Sequence, residues 1–163
     1  MKCVIVGIGN PNLCDDALGI RVIEEIEKLN LNADTFALFM GDFDVLDKIL
    51  GYDLAIIVDA IRLGNEPGTI YEFSHDEFSF IPFSGTHGMN LITTLRVGME
   101  VFGEEMPGDI RIIAVEVEDV ESFGRDCTPK VKAAIPKVVE RITEIVAGSN
   151  CCLDQIAAES RQK

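Results

Sequence analysis

Apolar residues in this chain fall into short dense runs, separated by longer stretches in which they recur every three or four positions. Residues 2–8 form one brief run, Lys2-Cys3-Val4-Ile5-Val6-Gly7-Ile8, that stops at the loop signal Gly9-Asn10-Pro11. It reads as a buried strand. From Asp16 onward, Leu18, Val22, Ile26 and Leu29 repeat at helical spacing, with Arg21, Glu24, Glu25 and Lys28 on the opposite face. Residues 34–40 read as a second strand and 44–50 as a short helix. Residues 53–60 are nearly all apolar, as expected of a strand with helices over both of its faces. Asn65-Glu66-Pro67-Gly68 is a turn leading into a strand over 69–73. The connection 61–68 is too short for a crossover helix, so this strand is expected to run antiparallel. Residues 74–88 read as an irregular, mobile loop. Ile92, Leu95, Met99 and Phe102 give a helical stripe weakened by Gly98, and 110–117 is a fifth strand. Thr128-Pro129 has the form of N-cap and first residue of a last helix carrying Val131, Ile135, Val138, Ile142 and Ile145. Pro136 is expected to kink that helix or mark its true start. The alternation predicts an α/β fold: a three-layer α/β/α sandwich around a mostly parallel five-stranded sheet with one antiparallel strand. A single domain is expected over 1–148, with 149–163 a polar, frayed C-terminal tail.

Composition narrows the partners. The 163 residues include 14 Lys plus Arg against 28 Asp plus Glu, a net charge of −14. Sequence-independent affinity for nucleic acid comes from clustered Lys and Arg, so no nucleic acid partner is expected, and an anionic membrane surface is disfavoured likewise. No apolar run approaches the roughly 18 residues that span a bilayer. The apolar stretch after Met1 is too short for a secretory signal, so a cytoplasmic protein is expected. The five cysteines, Cys3, Cys14, Cys127, Cys151 and Cys152, are odd in number and lack a CxxC spacing. Free thiols follow, rather than a disulfide framework or a zinc knuckle.

Several common sites are excluded by their absent motifs. The turn Gly7-Ile8-Gly9-Asn10-Pro11-Asn12 begins like a dinucleotide fingerprint, but Asn12 replaces the third glycine and Pro11 stiffens the turn. There is no GxxxxGK[ST], HExxH or GxSxG. What remains is a polar set sharing one rim. In an open α/β sheet, ligands bind beyond the carboxyl ends of the strands. Asp15 and Asp16 follow the first strand, Asp59 closes the third, and His87 precedes a helix. A carboxylate closing the apolar run Leu54-Ala55-Ile56-Ile57-Val58 is costly to bury unless paired or metal-bound. Two carboxylates and an imidazole with open positions suit a catalytic site for a divalent metal, zinc, nickel or another.

Each residue also has a plainer role. Asp15 fits the N-cap of the first helix, with Asp16 its outward-facing neighbour and first-turn acid. Asp59 fits a cap of the following turn, His87 a surface loop or N-cap, and Asn10 a bond within its own turn. His75 reads as solvent-exposed. Glu116, Glu118, Asp119 and Glu121 read as a solvated edge.

The order Gly7-Ile8-Gly9-Asn10-Pro11, Asp15-Asp16-Ala17-Leu18-Gly19, Val58-Asp59-Ala60, Pro67-Gly68-Thr69, Thr86-His87 resembles the hydrogenase maturation endopeptidases, from the first residue to about 148. The resemblance implies a peptidase that removes a C-terminal extension from the large-subunit precursor of a nickel-iron hydrogenase, after nickel insertion. It implies that Asp16, Asp59 and His87 contact the metal and carry the catalysis, the metal being nickel carried by the substrate rather than a resident cofactor. Many members carry Asp-Gly-Gly-Thr at the end of the second strand. Here the stretch is Phe39-Met40-Gly41-Asp42-Phe43. Peptidyl-tRNA hydrolases share the opening strand end, but Asp15-Asp16 and the negative charge argue against them. A non-catalytic nickel- or precursor-binding accessory protein on the same fold is the other alternative, separable by whether the precursor is shortened.

Overall fold

The first apolar run becomes strand β1, Cys3–Ile8, with every residue buried. The computed structural model describes residues 1–77 and 88–160, leaving aside the side chains of 88–90 and 150–160. The strands β2 (Asp34–Leu38), β3 (Leu54–Ile61), β4 (Ile70–Ser74) and β5 (Asp109–Glu116) complete a five-stranded sheet of order β2-β1-β3-β5-β4. β1 lies parallel to both β2 and β3, and β3 parallel to β5. β4 alone runs antiparallel, on β5, as its short connection requires.

Alternating side chains of each strand enter two separate cores, which makes the fold three-layered. Cys3 and Ile5 of β1, with Leu54, Ile56 and Val58 of β3, pack under α1 (Leu18–Ile26) and α4 (Pro129–Ser160). Val4, Val6 and Ile8, with Ala55 and Ile57, pack under α2 (Phe43–Ile49) and α3 (Gly88–Phe102). Full burial of each such Ile or Val is worth roughly 1.5–3 kcal/mol. Both faces of β1 and β3 are therefore covered, which explains their nearly all-apolar sequence.

The structure departs from the sequence pattern at three places. α1 begins at Leu18, after a tight 3-10 turn over Asp15–Ala17. α4 starts at Pro129, so Pro136 lies within it and does not mark its start. The same helix continues to Ser160, through most of the stretch 149–163 that the sequence gives as a polar, frayed tail. Of the 74–88 segment, His75–Glu77 forms a 3-10 turn and residues 78–87 lie outside the described residues. Among the described residues, no helix is long and apolar enough to cross a membrane.

Candidate functional site

The chain leaves β1 toward β2 through α1 on one face and returns to β3 through α2 on the other. The carboxyl ends of β1 and β3 thus flank the switch point of the sheet, where open α/β sheets bind ligands. Glycines let α1 press onto that point. Gly9 has φ +150°, and a side chain there would strike the Asp16 carbonyl. A Cβ on Gly19 would meet backbone atoms of Ile8 and lie 2.8 Å from the Val58 carbonyl, so the start of α1 spans both strands.

Asp16 sits in the resulting turn and is only 2% exposed. Its Oδ2 accepts a hydrogen bond from the Asn10 backbone N–H at 3.0 Å. The expectation that Asp16 faces outward is corrected: the close approach of α1 turns its carboxylate inward, under the β1 loop. Asp59 is 1% exposed, in register with Ala114 of β5, and its Oδ1 accepts from the Ala60 N–H at 2.8 Å. It does not end its strand, since β3 runs on to Ile61. Two carboxylates so thoroughly removed from water are costly, and fold stability alone gives little reason to keep them. Each instead accepts a hydrogen bond from backbone, Asp16 from the loop after β1 and Asp59 from within β3.

His87, the third residue expected at this rim, lies outside the described residues; α3 begins at the next residue, Gly88. Among the described residues, no three His, Cys, Asp or Glu side chains are grouped so as to hold a metal ion.

Other acids have roles the sequence pattern did not indicate. Asp15 caps no helix; its buried carboxylate accepts from the backbone N–H groups of Glu118, Asp119 and Thr128 and from the Thr128 hydroxyl. Glu116 is not part of a solvated edge. It is 2% exposed and accepts from the Leu63 and Gly64 N–H groups and the Tyr71 hydroxyl, shaping the loop that follows Asp59. One signal was available for Glu116: like Asp59, it comes directly after an apolar run within its strand. Of the remaining acids in that stretch, Glu118 and Glu121 are exposed, and Asp119 accepts from the Glu121 and Ser122 N–H groups. Those two bonds from Ser122 and Glu121 hold the Asp119 carboxyl below the usual range.

Asp42, in the stretch that departs from Asp-Gly-Gly-Thr, is the N-cap of α2, its side chain accepting from the Asp44 N–H. Asn10 closes its own turn, accepting from the Asn12 N–H. His75 is partly exposed and pairs with Asp76 at 3.1 Å. Cys3 and Cys127 are buried free thiols, pushed up to about 11 by desolvation, while Cys14 is half-buried and also free.

The model of the hydrogenase maturation protease family matches residues 20–145. The chain is 28% identical over 148 residues to the hydrogenase 2 maturation protease of Escherichia coli, covering 87% of this chain and 88% of that protein. It is 24% identical over 153 residues to the hydrogenase expression/formation protein HupD of Thiocapsa roseopersicina, covering 90% and 68%. Among solved structures, an Escherichia coli endopeptidase superposes with a TM-score of 0.77 at 25% identity, over 91% of this chain and 94% of that one. The hydrogenase maturation protease HycI of Thermococcus kodakarensis gives 0.70 at 25% identity, over 90% and 92%.

Proposed function

The chain belongs to the hydrogenase maturation protease family, and from that premise we propose that it cuts the C-terminal extension from a nickel-iron hydrogenase large-subunit precursor after nickel insertion. The observation that supports this reading is the pair of buried carboxylates, Asp16 in the turn beyond β1 and Asp59 in β3, the strand paired with β1. Nickel enters as part of the substrate, so the protein has only to meet it. Oxygen donors from two carboxylates, with the His87 imidazole as third contact, are chemically suited to a divalent ion of this kind. When bound there, the ion polarises the scissile carbonyl or acidifies a water beside it.

The chain's own residues do the rest. Asp16 and Asp59 orient the metal-bearing segment so that the peptide to be cut lies against the β1–β3 rim. Asp16 is the general base: it takes a proton from water as the water oxygen attacks the peptide carbonyl carbon. The C–N bond then breaks, and the proton passes to the departing amine. The Asn10 N–H fixes the Asp16 carboxylate in the orientation this requires.

Incubation with a nickel-loaded precursor is expected to shorten the large subunit, as seen by gel mobility and intact mass. Asp16→Ala, Asp59→Ala and His87→Ala each abolish the shortening while far-UV circular dichroism is retained. Full processing by all three variants refutes the assignment of residues. Binding of the precursor with no shortening refutes the peptidase reading for this chain.

A further inference from the structure

Asp15 takes no part in the chemistry above, yet its carboxylate gathers two distant stretches of chain, 118–119 and 128. It is 0% exposed, and Oδ1 accepts from the Thr128 N–H at 2.7 Å. Oδ2 accepts from the Thr128 hydroxyl at 3.0 Å, the Asp119 N–H at 3.0 Å and the Glu118 N–H at 3.1 Å. The Asp15 N–H in turn donates to the Asp119 carbonyl at 2.8 Å, and the Cys14 N–H to the Ser122 carbonyl at 3.0 Å. Arg21 adds a second fastening: its Nη2 donates to the Pro11 carbonyl at 3.2 Å and to the Arg125 carbonyl at 2.8 Å. The turn that carries Asp16 is thereby clamped to the β5–α4 connection on one side, while the Asn10 N–H holds the Asp16 carboxylate on the other.

We propose that Asp15 is a positioning residue for peptide cleavage: by fastening the 3-10 turn to residues 118–119 and 128, it fixes Asp16 at the carboxyl end of β1. This rests on the role given to Asp16 above. The donor pattern demands a full carboxylate. Four donors point at Asp15, and an amide in its place aims its own NH2 at one of them. The donor left facing that NH2 lies in a part-buried region against the fully buried Asp15 side chain, so the connection shifts to relieve it. Asp16, the next residue, shifts with it, and displacements on the order of 1 Å cost roughly 100-fold in rate.

The test compares the parent with Asp15→Asn, Thr128→Val and Thr128→Ser by residue-resolved amide hydrogen exchange and by precursor cleavage. In Asp15→Asn, exchange at the Asn10 amide is expected to quicken about tenfold or more, with β3 amides unchanged. kcat falls roughly 10- to 100-fold while KM stays within about twofold, since binding surface is retained. Thr128→Val, which removes only the hydroxyl donor, gives the same pattern more weakly and serves where Asp15→Asn does not fold. Thr128→Ser, which keeps the hydroxyl, restores both readouts. Unchanged exchange at Asn10, an unchanged kcat, or loss of protection spread through β3 overturns the proposal. If the parent itself leaves the precursor intact, the peptidase reading fails, and exchange at Asn10 alone still decides whether Asp15 fixes Asp16.

Discussion

Gly19→Ala is a small change aimed at one of the close backbone approaches among the described residues. In a helix, replacing Gly by Ala normally stabilises by about 1 kcal/mol, because the unfolded chain loses freedom it would otherwise keep. At Gly19 the new Cβ would lie 2.8 Å from the Val58 carbonyl oxygen, where ordinary contact begins at 3.4 Å; 3.4 − 2.8 leaves a 0.6 Å overlap. Its overlaps with the Ile8 backbone are larger still. None of these atoms belongs to a flexible side chain that can turn away. α1 must lift off both strands, and overpacking of this kind costs about 1–3 kcal/mol, enough to outweigh the propensity gain. Gly148→Ala provides the control, because that helical position opens onto space with nothing within 4 Å. Urea unfolding should show Gly19→Ala destabilised by up to about 2 kcal/mol net and Gly148→Ala stabilised by about 0.5–1 kcal/mol. Precursor cleavage should fall in the first variant and hold in the second, since Asp16 lies one turn before Gly19. Equal stabilisation by both substitutions would refute the close-packing account of the rim.

Glu116→Ala strands the Leu63 and Gly64 N–H groups and the Tyr71 hydroxyl, which all donate to that carboxylate. A loss of about 1–3 kcal/mol is expected by chemical denaturation, and a change below about 0.5 kcal/mol would show that water replaces it freely. Glu72 joins Arg141 at 2.8 Å and Arg111 at 3.3 Å, tying the edge strand β4 to β5 and α4. The hydrogen bond from Arg141 holds the Glu72 carboxyl below its ordinary value of 4.5. Its stabilising effect is therefore present above about pH 4.5 and is lost as pH falls through the lower folded-state value. Because both partners are partly exposed, Glu72→Gln should cost no more than about 1 kcal/mol at pH 7. The gap between parent and variant should close on acidification, and a gap that widens instead would reverse the assigned sign.

Much of this protein is legible in its one-dimensional pattern. Apolar runs over Cys3–Ile8 and Leu54–Val58 announce strands covered on both faces, and the short connection after β3 fixes the antiparallel sense of β4. The sequence also marks Asp16 and Asp59 as acids that come after apolar runs, Asp16 in the turn beyond β1 and Asp59 near the end of β3. These features are local: side-chain period and loop length are written in neighbouring residues. The environment of each carboxylate is a different matter. Asp15, which its position marks as a helix cap, finds its donors at Glu118, Asp119 and Thr128, more than a hundred residues away. Glu116 looks like one acid among several, yet its partners are Leu63 and Gly64 across the sheet edge. Whether such a group is solvated, capping or clamped depends on which distant backbone amides the strand order and register bring to it. No local spacing encodes that, so the sequence determined the layers, and only the closed tertiary structure decided which acids are clamps.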